Sequence, residues 1–106
     1  MAVDYEAVNR VVRDYVADVK KAMPIDRTFL FGSYAKGTAT KYSDVDLCFF
    51  SKSFEGKRSV DIVAHLLKLT HKYGGTFIEP HIFPTSELVN DNPFVKEILR
   101  TGYEIQ

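Results

Sequence analysis

The chain has 106 residues, 45% hydrophobic and 26% charged, and this length and composition predict one globular domain over residues 1–106. Its 14 basic and 14 acidic residues cancel, which disfavours a long nucleic acid as substrate because proteins that bind one usually carry a basic excess. A single cysteine excludes an intramolecular disulfide, and no segment has the ~20 apolar residues of a membrane span, so we expect a cytoplasmic protein without a membrane partner.

Apolar periodicity and turn residues predict that helices and strands are interleaved along the chain. In the first half, the predicted elements are a helix from Tyr5 to about Met23 capped by Asp4, a strand over Arg27–Phe31, a polar loop or short helix up to Tyr42, and a strand over about Asp44–Phe50. In the second half, they are a helix from Val60 to Thr70 stopped by Gly74 and Gly75, a strand over Thr76–Phe83, a helical turn at Ser86–Val89, a helix from Pro93 to Gly102 capped by Asn92, and a short strand at Tyr103–Ile105. This order predicts an α/β (α+β) fold, a small mixed sheet of about three to five strands flanked by helices.

Two single residues within these elements have specific expected positions. Pro80 cannot donate a hydrogen bond to a sheet, so its strand is predicted to lie at an edge or to end there. Cys48 stands in the apolar run Val45–Phe50 and is predicted to be a buried core residue rather than a reactive thiol.

Gly32 and Ser33 directly follow the first predicted strand. Glycine lets the backbone approach an anion closely, and the serine hydroxyl and adjoining amides can donate hydrogen bonds to phosphate oxygens. The pair is therefore a candidate phosphate-binding turn, although a Gly-Ser pair on its own more often marks a simple turn.

Asp44 and Asp46 begin the second predicted strand and stand two residues apart, so their side chains are expected on the same face. Two carboxylates in one small space repel each other unless a cation lies between them. Mg²⁺ prefers oxygen ligands and usually takes one or two carboxylates together with the phosphates of a nucleotide. The aspartates are thus candidate metal ligands, while an Asp-x-Asp pair alone more often caps a turn.

The two features together are more specific than either alone, since they form the pattern G-S, ten residues, D-x-D. With average residue frequencies this pattern arises by chance in a chain of this length on the order of once in a thousand. It resembles the signature of the nucleotidyltransferase superfamily that includes DNA polymerase beta, specifically its small minimal nucleotidyltransferase branch. The resemblance covers nearly the whole chain, and Gly37 and Ser43 also stand in places typical of the family.

The resemblance implies a metal-dependent enzyme that transfers a nucleoside monophosphate from a nucleoside triphosphate and releases pyrophosphate. It implies that Gly32 and Ser33 hold the distal phosphates of the nucleotide. It further implies that Asp44 and Asp46 ligate the catalytic ions, Mg²⁺ or Mn²⁺, and that a third carboxylate on a neighbouring strand completes the site.

Glu79 is the candidate for that third carboxylate, as a catalytic residue and metal ligand. Strand alternation puts it on one face with Phe77, His81 and Phe83, from which it can help to deprotonate an acceptor hydroxyl. The family more often has aspartate at this place, and Glu79 is longer and is followed by Pro80. An exposed edge-strand glutamate without a catalytic role therefore stays open.

The remaining polar residues carry weaker signals. His65 and His71 lack metal-ligand spacing to other ligands and are predicted to lie on a helix surface, whereas His81 is noted for its position two residues after Glu79. Three basic residues in flanking loops can offset triphosphate charge, although a solvated surface position is the commoner role for each: Lys36, Lys41 and Arg58.

The resemblance also implies a protein partner. Many minimal members act with a helical HEPN-type protein, as antitoxins to a toxic ribonuclease, so a hetero-oligomer is expected beside a homo-oligomer. The main hypothesis is transfer of AMP from ATP to a tyrosine of that partner. The alternatives are a binding module that neutralises the partner without turnover and, more weakly, a small-molecule transferase of the aminoglycoside-modifying type. The aromatic residues considered for a partner surface are Tyr34, Tyr42, Phe54 and Tyr103.

Overall fold

A computed structural model describes residues 3–74 and 76–106 of the chain. Its helices are α1 (Tyr5–Ala22), α2 (Ser33–Lys36), α3 (Ser59–Leu69) and α4 (Pro93–Thr101), and its strands are β1 (Arg27–Phe31), β2 (Val45–Phe50), β3 (Ile78–Phe83) and β4 (Tyr103–Ile105). Short 3₁₀ turns lie at Lys52–Phe54, Thr70–Tyr73 and Thr85–Leu88. The predicted α/β sheet flanked by helices is confirmed. Gly75, predicted with Gly74 to stop the second long helix, lies outside the described residues.

Helix starts follow the capping residues that the sequence indicated. The Asp4 side chain accepts a hydrogen bond from the Ala7 amide at the start of α1. Asn92 accepts bonds from two amides at the start of α4, where Pro93 occupies the first helical position and needs no hydrogen-bond partner for its nitrogen. Among the described residues, no helix is both long and apolar enough to cross a membrane.

The four strands form one mixed sheet in the order β3-β2-β1-β4. β1 pairs antiparallel with β2 and β4, whereas β2 pairs in parallel with β3. β3 is an edge strand, as Pro80 predicted, and Pro80 lies opposite Leu47 in the register. The first bond of the parallel pair runs from the Val45 amide to the Phe77 carbonyl, so Asp44 lies just before β2 rather than within it.

The sheet has a buried cluster on each face, and alternation along β2 divides its side chains between them. Val45, Leu47 and Phe49 join the larger cluster, which contains buried residues of α1 and α3. Cys48 and Phe50 join the smaller cluster with Val95 and Ile98 of α4, and the predicted burial of Cys48 is confirmed at 0% exposure. Asp46, two positions before Cys48, therefore faces the side of the sheet that α4 covers.

One of the four aromatic residues considered for a partner surface is buried instead, so that prediction is wrong for it. Phe54 is 6% exposed and belongs to the larger core cluster, because the 3₁₀ turn capped by Ser51 directs its ring inward. Tyr34 is half-buried against the same cluster. Tyr42 and Tyr103 are 82% and 61% exposed, so of the four aromatic residues these two lie on the surface.

Candidate active site

Gly32 and Asp46 lie against each other at the junction of β1 and α2. β1 ends at Phe31, whose register partner on β2 is Asp46. Gly32 then adopts φ 75° and ψ −153°, a conformation that is essentially restricted to glycine. A Cβ at this position would lie 2.4 Å from Asp46 Oδ2. The two halves of the sequence pattern are therefore in direct contact, and a side chain at position 32 would occupy the space beside the carboxylate.

Ser33 is the first residue of α2, a single helical turn. The Gly32 carbonyl accepts bonds from the Ala35 and Lys36 amides, while the amides at the very start of a helix have no acceptor within it. These free donors and the Ser33 hydroxyl are the groups that an anion can use. The turn is closed by Gly37, in the left-handed conformation.

The acids predicted from the sequence meet across the parallel strand pair. Asp46 and Glu79 are register partners on β2 and β3, so their side chains leave the sheet on the same face. Asp44 precedes β2 and is exposed, and together with Glu79 and the exposed Phe77 it lines a cavity of about 450 Å³. His71, exposed on the turn after α3, lines the same cavity, whereas His65 lies exposed on α3 as predicted.

His81 is a site residue to which the sequence assigned no role. Its ring lies between those of Phe31 and Phe94, with centroid distances of 5.1 and 5.8 Å. Its Nε2 is 3.6 Å from Asp46 Oδ1 and 3.8 Å from Glu79 Oε1, is buried, and has no hydrogen-bond partner among the described residues. The alternation that places Glu79 and His81 on one face was the signal that could have identified it.

Basic side chains are absent from the neighbourhood of the acids within residues 3–74 and 76–106. No lysine or arginine there lies within 4.0 Å of a carboxylate oxygen of Asp44, Asp46 or Glu79. Arg58 instead approaches Asp61, and the Lys41 ammonium lies over the Tyr42 ring. The site thus gathers negative charge with one imidazole as its nearest counterpart, which favours a cation.

The titration of Glu79 reflects this environment. Partial desolvation raises the pKa of the Glu79 carboxyl above its usual range, His81 opposes the rise, and the neighbouring carboxylates Asp46 and Asp44 add to it. A bound cation would favour the ionised form and reverse the shift. In the metal-free site, Glu79 therefore holds a proton more readily than an isolated glutamate does.

This shift predicts a pH-dependent stability difference between the metal-free protein and its Glu79→Gln variant. Because the raised pKa applies to the folded state, the native protein binds more protons than the unfolded chain, and stability falls as pH rises from about 4.3 through the folded pKa. The glutamine side chain cannot ionise, so we expect the variant to gain stability relative to wild type between pH 4 and pH 7. Urea unfolding across this range in the presence of chelator measures the difference. A constant difference would contradict the raised pKa.

The donor set fits a divalent cation. One ligand atom each from Asp46, Glu79 and His81 lie within 4.8 Å of one another. Two atoms that each lie about 2.1 Å from one ion are separated by about 3.0 Å at a right angle and about 4.2 Å on opposite sides. The separations of His81 Nε2 from Asp46 Oδ1 and Glu79 Oε1, 3.6 and 3.8 Å, lie between these values and suit a shared ion. The buried Nε2 of His81 has no hydrogen-bond partner in the part of the chain that the structure describes, and ligation of a metal ion would satisfy this polar atom.

Comparison with known proteins agrees with this geometry. Residues 12–100 match the nucleotidyltransferase domain family. A protein of Methanocaldococcus jannaschii named "putative protein adenylyltransferase" is 33% identical over 109 residues, which cover 96% of this chain and 73% of that protein. The crystal structure of a "putative nucleotidyltransferase" from Sulfolobus solfataricus superposes with a TM-score of 0.67 at 17% identity, covering 90% of this chain and 76% of that one, and it supports the fold. The chain belongs to the nucleotidyltransferase domain family, whose members bind a nucleoside triphosphate and a divalent metal, and it is a nucleotidyltransferase.

Proposed function

We propose that this enzyme is a protein adenylyltransferase, which transfers AMP from ATP to a tyrosine hydroxyl on a partner protein. The observation that carries the proposal is the convergence of the Gly32 turn, Asp46 and Glu79 at one end of the sheet, where β1 ends and β2 and β3 begin. The Glu79 side chain is 54% exposed and Phe77 is 71% exposed, so a protein loop can reach the acids. The name of the archaeal relative supports a protein as the acceptor.

In this proposal, different residues of the site bind the phosphates and the metal ion. Gly32 and Ser33 bind the β- and γ-phosphates through backbone amides and the serine hydroxyl. Asp44, Asp46 and Glu79 hold Mg²⁺ or Mn²⁺, which when bound neutralises triphosphate charge and polarises the α-phosphate. A bound cation relieves the mutual repulsion of these carboxylates. Because the same cation neutralises charge on the triphosphate, metal binding and nucleotide binding are coupled.

Glu79 has a second role in the transfer. The acceptor oxygen forms a bond to the α-phosphorus, the bond from that phosphorus to the bridging oxygen of the β-phosphate breaks, and pyrophosphate leaves. The proton of the acceptor hydroxyl passes to the Glu79 carboxylate. With the cation bound, Glu79 is ionised and can accept this proton, and its exposed position on the edge strand lets an acceptor approach it.

We further propose a HEPN-type protein as the partner, in an antitoxin role in the cytoplasm. This extends the resemblance of the Gly-Ser and Asp-x-Asp pattern to the minimal nucleotidyltransferase branch. The exposed Tyr42 adjoins the site two residues before Asp44 and is available to contact a partner. Recognition by a second protein is consistent with a cleft that is open to solvent at Asp44 and Glu79.

The direct test incubates the protein with Mg²⁺, the candidate HEPN partner and ATP labelled at the α-phosphate. We expect label on the partner, with a tyrosine identified by mass spectrometry, and label lost when that tyrosine is changed to phenylalanine. ATP labelled at the γ-phosphate is the control and should leave no label, because pyrophosphate is released. Suppression of partner toxicity without any label would instead support a binding module that neutralises by complex formation.

Glu79→Gln separates binding from transfer. The amide keeps an oxygen for the cation but cannot accept a proton, so we expect metal-nucleotide affinity to change by a few fold and transfer to fall by roughly 10² or more. Calorimetry measures the first quantity, and initial rates with labelled ATP measure the second. Glu6→Gln, an exposed glutamate in the first turn of α1, is the matched control. Wild-type transfer rates in Glu79→Gln would remove Glu79 from the mechanism.

A further inference from the structure

The imidazole of His81 packs against aromatic rings, and its Nε2 makes no hydrogen bond within residues 3–74 and 76–106. Phe31 and Phe94 flank the ring, and its Nε2 is buried. Nε2 lies 3.6 Å from a carboxylate oxygen of Asp46 and 3.8 Å from one of Glu79. These distances are too long for hydrogen bonds, which have donor–acceptor separations of about 2.7–3.2 Å.

Burying a polar atom without a hydrogen-bond partner costs free energy, and most buried polar atoms in proteins therefore have a partner. Here Nε2 and one oxygen of each carboxylate lie within 4.8 Å of one another, and the separations of 3.6 and 3.8 Å from Nε2 are those of atoms that can share an ion. The carboxylates alone would be a site for a hard ion such as Mg²⁺. Imidazole nitrogen changes this preference, because it favours transition metals over Mg²⁺.

We infer that His81 is a nitrogen ligand of the cation at Asp46 and Glu79, and that it makes the site select Mn²⁺ over Mg²⁺. The inference rests on the proposed function for the use of the site, but it concerns metal binding by the protein alone. Mn²⁺ accepts both carboxylate oxygen and imidazole nitrogen, and it can replace Mg²⁺ beside phosphates. Phe31 and Phe94 fix the ring orientation, so little side-chain freedom remains to be lost on ligation.

The test uses the full chain, stripped with chelator and titrated with MnCl₂ or MgCl₂ in the absence of nucleotide. Calorimetry gives the two affinities, and pulsed electron paramagnetic resonance detects ¹⁴N coupling from an imidazole bound directly to Mn²⁺. We expect tighter binding of Mn²⁺ than of Mg²⁺ and a ¹⁴N signal in the wild type. Absence of Mn²⁺ binding, or bound Mn²⁺ without ¹⁴N coupling, would overturn the inference without requiring any variant.

Variants assign the nitrogen to one residue. In His81→Asn we expect the ¹⁴N signal to disappear and Mn²⁺ affinity to fall by roughly 10-fold or more, with a smaller change for Mg²⁺. His81→Asp makes all the side-chain ligands carboxylates and should likewise lower the ratio of Mn²⁺ affinity to Mg²⁺ affinity. His65→Asn, an exposed histidine of α3, is the matched control and should keep both the signal and the affinity. A ¹⁴N signal that persists in folded His81→Asn would assign the nitrogen elsewhere and refute the proposal.

The outcome is independent of whether AMP transfer is observed. Transfer to a partner without ¹⁴N coupling would leave the proposed function standing and refute the role of His81. Nitrogen coupling in a protein that transfers nothing would support the role of His81 and count against the proposed function.

Discussion

Replacing Asp46 by asparagine is expected to abolish the proposed AMP transfer while leaving the fold intact. Asp46 contacts the Gly32 turn, faces Glu79 in the register and lies next to His81, so every part of the site meets at this carboxylate. Loss of the Asp46 charge weakens binding of the metal ion. Because such an ion contributes several kcal/mol to stabilising the charge of the transition state, the rate of transfer should fall by roughly 10³-fold or more. Initial rates with labelled ATP and calorimetry with Mn²⁺ and ATP measure the two losses.

The stability of the same variant distinguishes loss of the site from loss of the fold. Without a cation, Asp46 lies beside Glu79 and Asp44 with no lysine or arginine paired to any of them in the described part of the chain. Asparagine relieves this repulsion, so the free energy of unfolding of the metal-free variant should be equal to or above that of wild type. Asp61→Asn, at an exposed aspartate of α3, is the control for both measurements. Undiminished transfer in Asp46→Asn would refute the assignment of the site.

Secondary structure could be predicted well here because its signals are local. β1 covers Arg27–Phe31 as predicted, and α1 and α4 begin after the capping residues that the sequence indicated. β3 starts at Ile78, two residues later than predicted, because its pairing with β2 begins opposite Val45. Strand pairing depends on partners distant in the chain, and a single sequence does not specify them.

The candidate site could be predicted only in part, for the same reason. The Gly-Ser pair and the aspartates were recognisable from their spacing, and the antiparallel pairing of β1 with β2 explains why ten intervening residues return the chain to the Gly32 turn. His81 was not assigned a role because its environment comes from Phe31 on β1 and Phe94 on α4. Phe54 was misjudged because the 3₁₀ turn that directs it inward depends on the Ser51 cap.

Gly32→Ala is expected to abolish metal-nucleotide binding. Two effects combine at this position, since φ 75° with ψ −153° is essentially accessible only to glycine, and the new Cβ would meet Asp46 Oδ2 at 2.4 Å. The variant must therefore move either the turn that carries the proposed phosphate-binding amides or the carboxylate proposed to hold the cation. Gly32→Val adds further bulk at the same point and should have the same outcome. Calorimetry with Mn²⁺ and ATP measures the loss.

Gly37→Ala is the matched control for this prediction. Gly37 also has a positive φ, 76°, but ψ is 18°, and beyond its chain neighbours no atom of the described residues lies within 4 Å of the position a Cβ would take. Alanine there costs about 1–2 kcal/mol of backbone strain, without obstructing the site. We therefore expect Gly37→Ala to lower the melting temperature and yet to bind metal-nucleotide within a few fold of wild type. If Gly32→Ala binds metal-nucleotide as tightly as Gly37→Ala and wild type do, the Gly32 turn contributes only to folding and the triphosphate binds elsewhere.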